Sequence, residues 1–143
     1  MVGSFACRAR EAARFGVHLE LFAHRRVVIV PAGIGVAAPA TRRLGRIVRS
    51  RCSYAARTTS PTGVLEIRRG SRLTLGSFFR LWGQPLAASR LVGFRGGRVL
   101  AFVNGRRWRG DVRAIPLRRH AQIVLEIGGY VPPHPRYLFP RGL

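Results

Sequence analysis

The segment TLGSFFRLWGQP, residues 74–85, carries the clearest helix signal in the sequence. Four large apolar side chains recur in it at i, i+3, i+4 and i+7, which puts them on one helical face: Leu75, Phe78, Phe79 and Trp82. Thr74 is a suitable N-cap, and Gly83 followed by Pro85 is a typical C-terminal stop. Because a helix of about nine residues is too short to be stable alone in water, we expect its aromatic face to pack on a sheet.

Strand signals dominate the rest of the chain. Short runs rich in β-branched and apolar residues, bounded by Gly, Pro or Asn, are typical of β-strands; they occur at residues 17–22, 26–30, 52–58, 64–67, 98–103, 106–109 and 121–127. Asn104-Gly105 favours a type I′ turn and hence a two-residue hairpin. These signals predict an α+β fold, with a single mixed or antiparallel sheet of about six or seven strands and one short helix packed on it, in a β-grasp-like arrangement.

The length of 143 residues suits a single domain. We interpret residues 1–16 as a polar lead-in and residues 17–143 as one α+β domain. From Tyr130 onward the chain holds four prolines, which predicts an extended C-terminal tail. Residues 37–51 combine Ala, Pro and Arg without a clear alternation, and we expect them to form an exposed loop.

Charge is the strongest signal in the composition. The sequence has 26 basic and five acidic residues, a formal net charge of +21, and every basic residue is arginine. The lack of lysine indicates GC-rich codon usage as one cause of the excess. A protein with this net positive charge nonetheless attracts polyanions, namely nucleic acid, anionic lipid headgroups or acidic envelope polymers. Five arginines of the predicted loop are the candidate anion-binding residues: Arg42, Arg43, Arg46, Arg49 and Arg51.

The cysteines and histidines give weaker signals. His18 and Cys52 are candidates for a residual site, as a thiolate pair or as metal ligands, but no H-x-H or H-E-x-x-H spacing accompanies them. Two further interpretations of Cys52 stay open: a small buried apolar side chain, or a disulfide with Cys7 if the protein is exported. The sequence predicts no catalytic residue, no metal site and no cofactor.

Three of the five acidic residues fall in predicted strands: Glu20, Glu66 and Glu126. Paired carboxylates can serve general acid–base catalysis, but nothing in their spacing favours it. With so many arginines in the chain, we expect these three carboxylates to form ion pairs on a sheet face.

Signals for a membrane or export are poor. The longest uncharged stretch near the start, residues 27–41, is interrupted by two prolines, and a membrane-spanning helix needs about 20 apolar residues. Residues 1–6 are shorter than the apolar core of a signal peptide, which has about 7–15 residues. The sequence as written predicts no transmembrane span and shows no export signal, so a cytoplasmic location stays open.

Several segments occur in an order that resembles an uncharacterised family of small extracytoplasmic domains from actinobacteria and similar GC-rich bacteria. They are VPAGIG (30–35), TGV (62–64), TLGSFFRLWGQPL (74–86), VNG (103–105), IPL (115–117) and HAQI (120–123). The resemblance covers residues 17–143 and implies a location in the cell envelope or outside the cell, with Cys7 near a processing or lipidation point. It implies no activity.

The same resemblance bears on metal binding. Many relatives are histidine-rich in a pattern that suggests a metal site. This chain keeps His18 and Cys52 but has residues 57–60 and Glu66 where further histidines are expected. The resemblance therefore implies a histidine-poor member that lacks at least three of the candidate metal ligands.

These observations predict a non-enzymatic domain of the cell envelope that binds an anionic polymer or another envelope protein. One alternative is a cytoplasmic nucleic-acid-binding module, which the charge and the absent signal peptide favour. A second alternative is a thiol- or metal-dependent enzyme using Cys52 and His18.

Overall fold

The computed structural model describes residues 6–143; residues 1–5 of the predicted lead-in lie outside the described part of the chain. The strands are β1 (Arg14–Ala23), β2 (Arg26–Val28), β3 (Val36–Arg43), β4 (Arg46–Ser53), β5 (Ala56–Arg57), β6 (Val64–Arg68), β7 (Leu86–Ala87), β8 (Arg90–Leu91), β9 (Leu100–Val103), β10 (Arg106–Trp108) and β11 (Gln122–Ile127). One helix, α1, spans Leu75–Trp82, and a 3₁₀ turn spans Val112–Ala114.

Seven of these strands form one mixed sheet in the order β10-β9-β11-β1-β6-β5, with β2 paired to β1 beside β6. The central pair, β1 with β11, is parallel, whereas the other pairs are antiparallel. The predicted α+β class, with one mixed sheet and one short helix, is confirmed. The β-grasp-like arrangement stays a prediction.

The two faces of the sheet have different surroundings because side chains alternate along each strand. One face of β1 is fully buried in the main core through Val17, Leu19 and Leu21, each at most 1% exposed. His18 and Glu20 point to the opposite face. The parallel register sets His18 beside Gln122 of β11, so polar side chains from two central strands meet on that second face.

The helix covers the first face, as its sequence predicts. Thr74 accepts a hydrogen bond from the backbone N–H of Ser77, and Gly83 ends the helix in the left-handed conformation at φ 76°. Phe78 and Phe79 are almost completely buried in the core, and Trp82 packs half-buried at its edge. Within residues 6–143, no helix has the length and apolar character needed to cross a membrane.

The expectation that residues 37–51 form a loop is wrong. They belong to a β-hairpin, in which β3 and β4 pair with each other as a separate two-stranded sheet. Its turn is Leu44-Gly45, with both residues left-handed at φ 52° and 78°. The hairpin lacks the apolar alternation of a half-buried strand because nearly all of its side chains near the turn are exposed, and register shifts interrupt the pairing.

The C-terminal segment forms no helix or strand after β11 and lies across the second face of the sheet, antiparallel to β1. Its contacts follow one another along that face: Val131 on the apolar cluster of Phe22, Phe102 and Val124, His134 against Glu20, Tyr137 on His18, and Phe139 on His120. The predicted extended tail is therefore a packed layer of the domain, and the sheet is covered on both faces.

Candidate functional site

The five candidate arginines all lie on the β3–β4 hairpin. Arg42 and Arg43 come from β3, and Arg46, Arg49 and Arg51 come from β4; all five are exposed. Pairing of the strands sets Arg43 directly opposite Arg46. The fold thus brings these cations, which the sequence spreads over ten positions, onto one two-stranded hairpin, where Arg43 and Arg46 share a face and Arg42 lies on the other.

Within residues 6–143 these arginines have no counter-charge. Among residues 6–143, none of the five side chains forms an ion pair or a hydrogen bond. The acidic residues pair elsewhere, Glu11 and Glu66 with Arg57 and Asp111 with Arg113. Five exposed guanidinium groups are therefore available to an external anion, which each can bind through two parallel N–H donors.

Three attachments hold the hairpin against the body of the domain. The backbone N–H of Ile47 donates to the Thr59 carbonyl at 2.7 Å, and the Ile47 side chain is buried. Cys52, near the end of β4, forms a disulfide with Cys7 across a Cα–Cα distance of 5.5 Å. The next residue, Ser53, exchanges two backbone hydrogen bonds with Arg8. The cationic surface is consequently fixed relative to the sheet.

A second group of arginines lies beneath the hairpin and has a structural role: Arg14, Arg57 and Arg68. Arg14 is 6% exposed and donates hydrogen bonds to the carbonyls of Tyr54, Ala55 and Glu66 and to the Ser53 hydroxyl. Its guanidinium group therefore joins β1, β6 and the connection after β4.

The carboxylate of Glu66 compensates part of this buried charge. It accepts a hydrogen bond from Arg57 Nε at 3.0 Å and another from the Thr59 hydroxyl. Burial, together with the charges of Arg57 and Arg68, lowers the pKa of Arg14 to about 10, which still leaves it charged at neutral pH. The ion pairing predicted for Glu66 is confirmed.

A polar network occupies the second face of the sheet around His18. His18 Nδ1 lies 2.6 Å from Gln122 Oε1, and His18 Nε2 lies 2.9 Å from the Thr62 carbonyl. The Gln122 amide nitrogen donates to Glu20, which fixes its oxygen toward His18. Both ring nitrogens of His18 therefore lie within hydrogen-bonding distance of an oxygen.

The C-terminal tail completes this network. The Tyr137 ring stacks on His18 with a centroid distance of 3.5 Å, and His134 Nδ1 lies 3.2 Å from Glu20 Oε1. A cavity of ≈ 410 Å³ opens beside these side chains, bounded by β1, β2, the turn at residues 61–63 and the tail. Its wall is polar at the histidines and apolar along β2.

The structure does not bring the two residual-site candidates into one site. His18 is engaged with Gln122, Thr62 and Tyr137, while the sulfur of Cys52 is bonded to Cys7. In this state Cys52 has no thiolate to offer as a nucleophile or ligand. Within the described residues, no three His, Cys, Asp or Glu side chains converge in a geometry that could hold a metal ion.

Sequence reasoning missed Glu20, Gln122, His134 and Tyr137 as members of one network. The only available signal was the spacing of His18 and Glu20, which puts both on one face of a strand. The position of Gln122 depends on the register of β1 with β11, and those of His134 and Tyr137 depend on the path of the tail.

Glu126 departs from the ion pairing expected of it. Its carboxylate is fully buried beside the apolar cluster of the second face. Oε1 accepts from the Val131 N–H, and Oε2 has no hydrogen-bond partner among residues 6–143. No cation pairs with it within residues 6–143. Burial raises the pKa of Glu126.

We expect Glu126→Gln to raise the melting temperature at neutral pH. Because the pKa of Glu126 is higher in the folded protein than in the unfolded chain, the folded state keeps this proton to higher pH. The free energy of unfolding therefore falls as pH rises through the range between the two pKa values. Glutamine keeps the acceptor for Val131 and removes the charge. Thermal unfolding from about pH 4 to about pH 8 measures this, and the gain should vanish at the acid end.

Glu11→Gln is the matched contrast. The hydrogen bond from Arg57 lowers the pKa of Glu11, so its charge adds stability that is present at neutral pH and is lost as pH falls. This variant should therefore melt lower than the wild type at neutral pH. A Glu126→Gln variant that also melts lower there would contradict the assigned cost of the buried charge.

Comparison of the chain with protein-family models, with curated proteins and with solved structures finds no match. Its function is therefore inferred from the geometry and charge of the hairpin and of the networks around it.

Proposed function

We propose that this protein is a non-enzymatic domain of the cell envelope that binds polyanions through the β3–β4 hairpin. The observation that carries the proposal is the set of five exposed arginines on one hairpin, without a carboxylate partner among the described residues. Binding releases the counterions of the polyanion, which supplies much of the affinity and makes it dependent on salt.

The Cys7–Cys52 disulfide supports a location outside the cytoplasm. Disulfides persist in oxidising compartments and are rare in the cytosol, where thiols are kept reduced. The same location is implied by the family that residues 74–86 resemble, and membership of that family is part of this proposal.

The proposal is tested by titrating the folded protein with inorganic polyphosphate at several salt concentrations. We expect the logarithm of the binding constant to fall linearly with the logarithm of the salt concentration. Replacing the five hairpin arginines by glutamine should weaken binding by at least about tenfold and flatten the slope by about one unit for each phosphate that the variant no longer binds.

A control with the same net charge separates a local site from overall charge. It replaces five exposed arginines elsewhere: Arg69, Arg72, Arg95, Arg118 and Arg119. This control should keep nearly the affinity of the wild type. Equal losses in the two variants, or an affinity that does not change with salt, would overturn the hairpin as the binding surface. Tighter binding of duplex DNA than of polyphosphate through the same arginines would favour the nucleic-acid alternative.

A further inference from the structure

The turn of the β3–β4 hairpin carries an unusual residue. Two hairpins of the domain have left-handed two-residue turns ending in glycine, with almost the same backbone angles: Leu44-Gly45 at φ 52° and 78°, and Asn104-Gly105 at φ 52° and 82°. Asparagine suits the first position because its short polar side chain tolerates this conformation. Leucine does not, so the turn at Leu44 holds a residue that opposes its local geometry.

Leu44 gains almost no packing in return from residues 6–143, because its side chain is 98% exposed. Single exposed leucines are ordinary on protein surfaces, and Leu138 at 93% is another. Leu44 differs because it combines full exposure with a backbone conformation that disfavours it, and residues in unfavourable backbone conformations concentrate at functional sites.

The charges around the turn also oppose the folded hairpin. Arg43 and Arg46 are direct partners across the two strands, and like charges in that position repel. Arg42, the preceding residue, is a third exposed cation near the turn, but it pairs with Ile47 and so lies on the other face of the two strands. An anionic layer lying over the turn would remove this repulsion and would bind the guanidinium groups of Arg43 and Arg46 together.

We propose that this turn docks on an anionic lipid bilayer, with Leu44 inserted among the headgroups and the neighbouring arginines bound to lipid phosphates. This docking rests on the proposed polyanion binding and specifies its partner. A hydrated polymer offers charge but no apolar region, so it gives an exposed leucine nothing to bind. A bilayer offers both, since its phosphate layer adjoins hydrocarbon, and anionic lipids attract basic segments near the surface.

Sedimentation with lipid vesicles tests the proposal. We expect the full chain to bind vesicles of phosphatidylcholine with phosphatidylglycerol and to bind pure phosphatidylcholine weakly. Leu44→Asn should weaken binding to the anionic vesicles by about tenfold, the scale of burying one leucine, and leave polyphosphate affinity unchanged. Asparagine fits the turn, so the variant should melt at or above the temperature of the wild type.

Leu138→Asn is the matched control, because it makes the same change at a leucine of similar exposure outside the hairpin. It should bind anionic vesicles as the wild type does. Unchanged vesicle binding by Leu44→Asn would overturn the insertion of Leu44 while leaving polyanion binding intact. If Arg43→Gln with Arg46→Gln changes neither vesicle nor polyphosphate binding, the role of the hairpin fails as a whole.

Discussion

Replacing Arg14 by leucine is expected to lower the free energy of unfolding by about 3–5 kcal/mol, because three backbone carbonyls and the Ser53 hydroxyl would lose their donor together. Leucine is shorter and donates no hydrogen bond. The carbonyls of Tyr54, Ala55 and Glu66 would then lose their guanidinium donor in a site that water does not reach freely. Each buried acceptor left without a partner costs about 1–3 kcal/mol.

Urea-induced unfolding at neutral pH measures the effect of the Arg14 change. Arg69→Leu is the matched control, because Arg69 is exposed, and its effect should stay within about 0.5 kcal/mol. Arg14→Lys keeps the charge but lacks the planar set of donors, so it should fall between the wild type and the leucine variant. A loss below about 1 kcal/mol for Arg14→Leu would show that the network does not depend on its guanidinium group.

The role of Arg14 shows where sequence reasoning stops. The helix at 75–82 was predictable because its cap, its apolar face and its terminal glycine all lie within a dozen residues. Arg14 binds groups 39 to 52 positions away, and nothing near it in the sequence distinguishes it from the exposed arginines. Because every basic residue of the sequence is arginine, composition does not distinguish the structural arginines from the exposed ones.

For the β3–β4 hairpin, the sequence predicts the candidate arginines but not the secondary structure. The sequence predicts its five arginines as candidates because they are dense in the sequence, and that density does not depend on the secondary structure. The loop predicted for them is a hairpin because Leu44-Gly45 adopts a left-handed turn, for which leucine is an unfavourable signal. The network of His18 and Gln122 was not predictable, since a parallel register between the first and last strands has no local signature.

Loss of the Cys7–Cys52 disulfide is expected to lower the free energy of unfolding by about 4 kcal/mol, since the bond restricts the unfolded chain over a loop of this length. The two cysteines are 45 positions apart, and the bond ties the start of the described chain to the end of β4. Guanidinium-induced unfolding of the oxidised protein, with and without reductant, measures the difference. The double variant Cys7→Ser, Cys52→Ser should match the reduced protein and should not respond to reductant.

The same bond decides between the two locations considered for this chain. A domain that depends on a disulfide for about 4 kcal/mol would be weakened in a reducing cytosol. If the protein lies in the cell envelope as proposed, thiol labelling of the protein taken directly from its host, followed by mass spectrometry of the mature N-terminus, should find Cys7 and Cys52 joined. Two free thiols would remove the support that the disulfide gives to an envelope location. The exposed arginines of the hairpin would then point first to nucleic acid, because cytosolic nucleic acid is the most abundant polyanion they would meet.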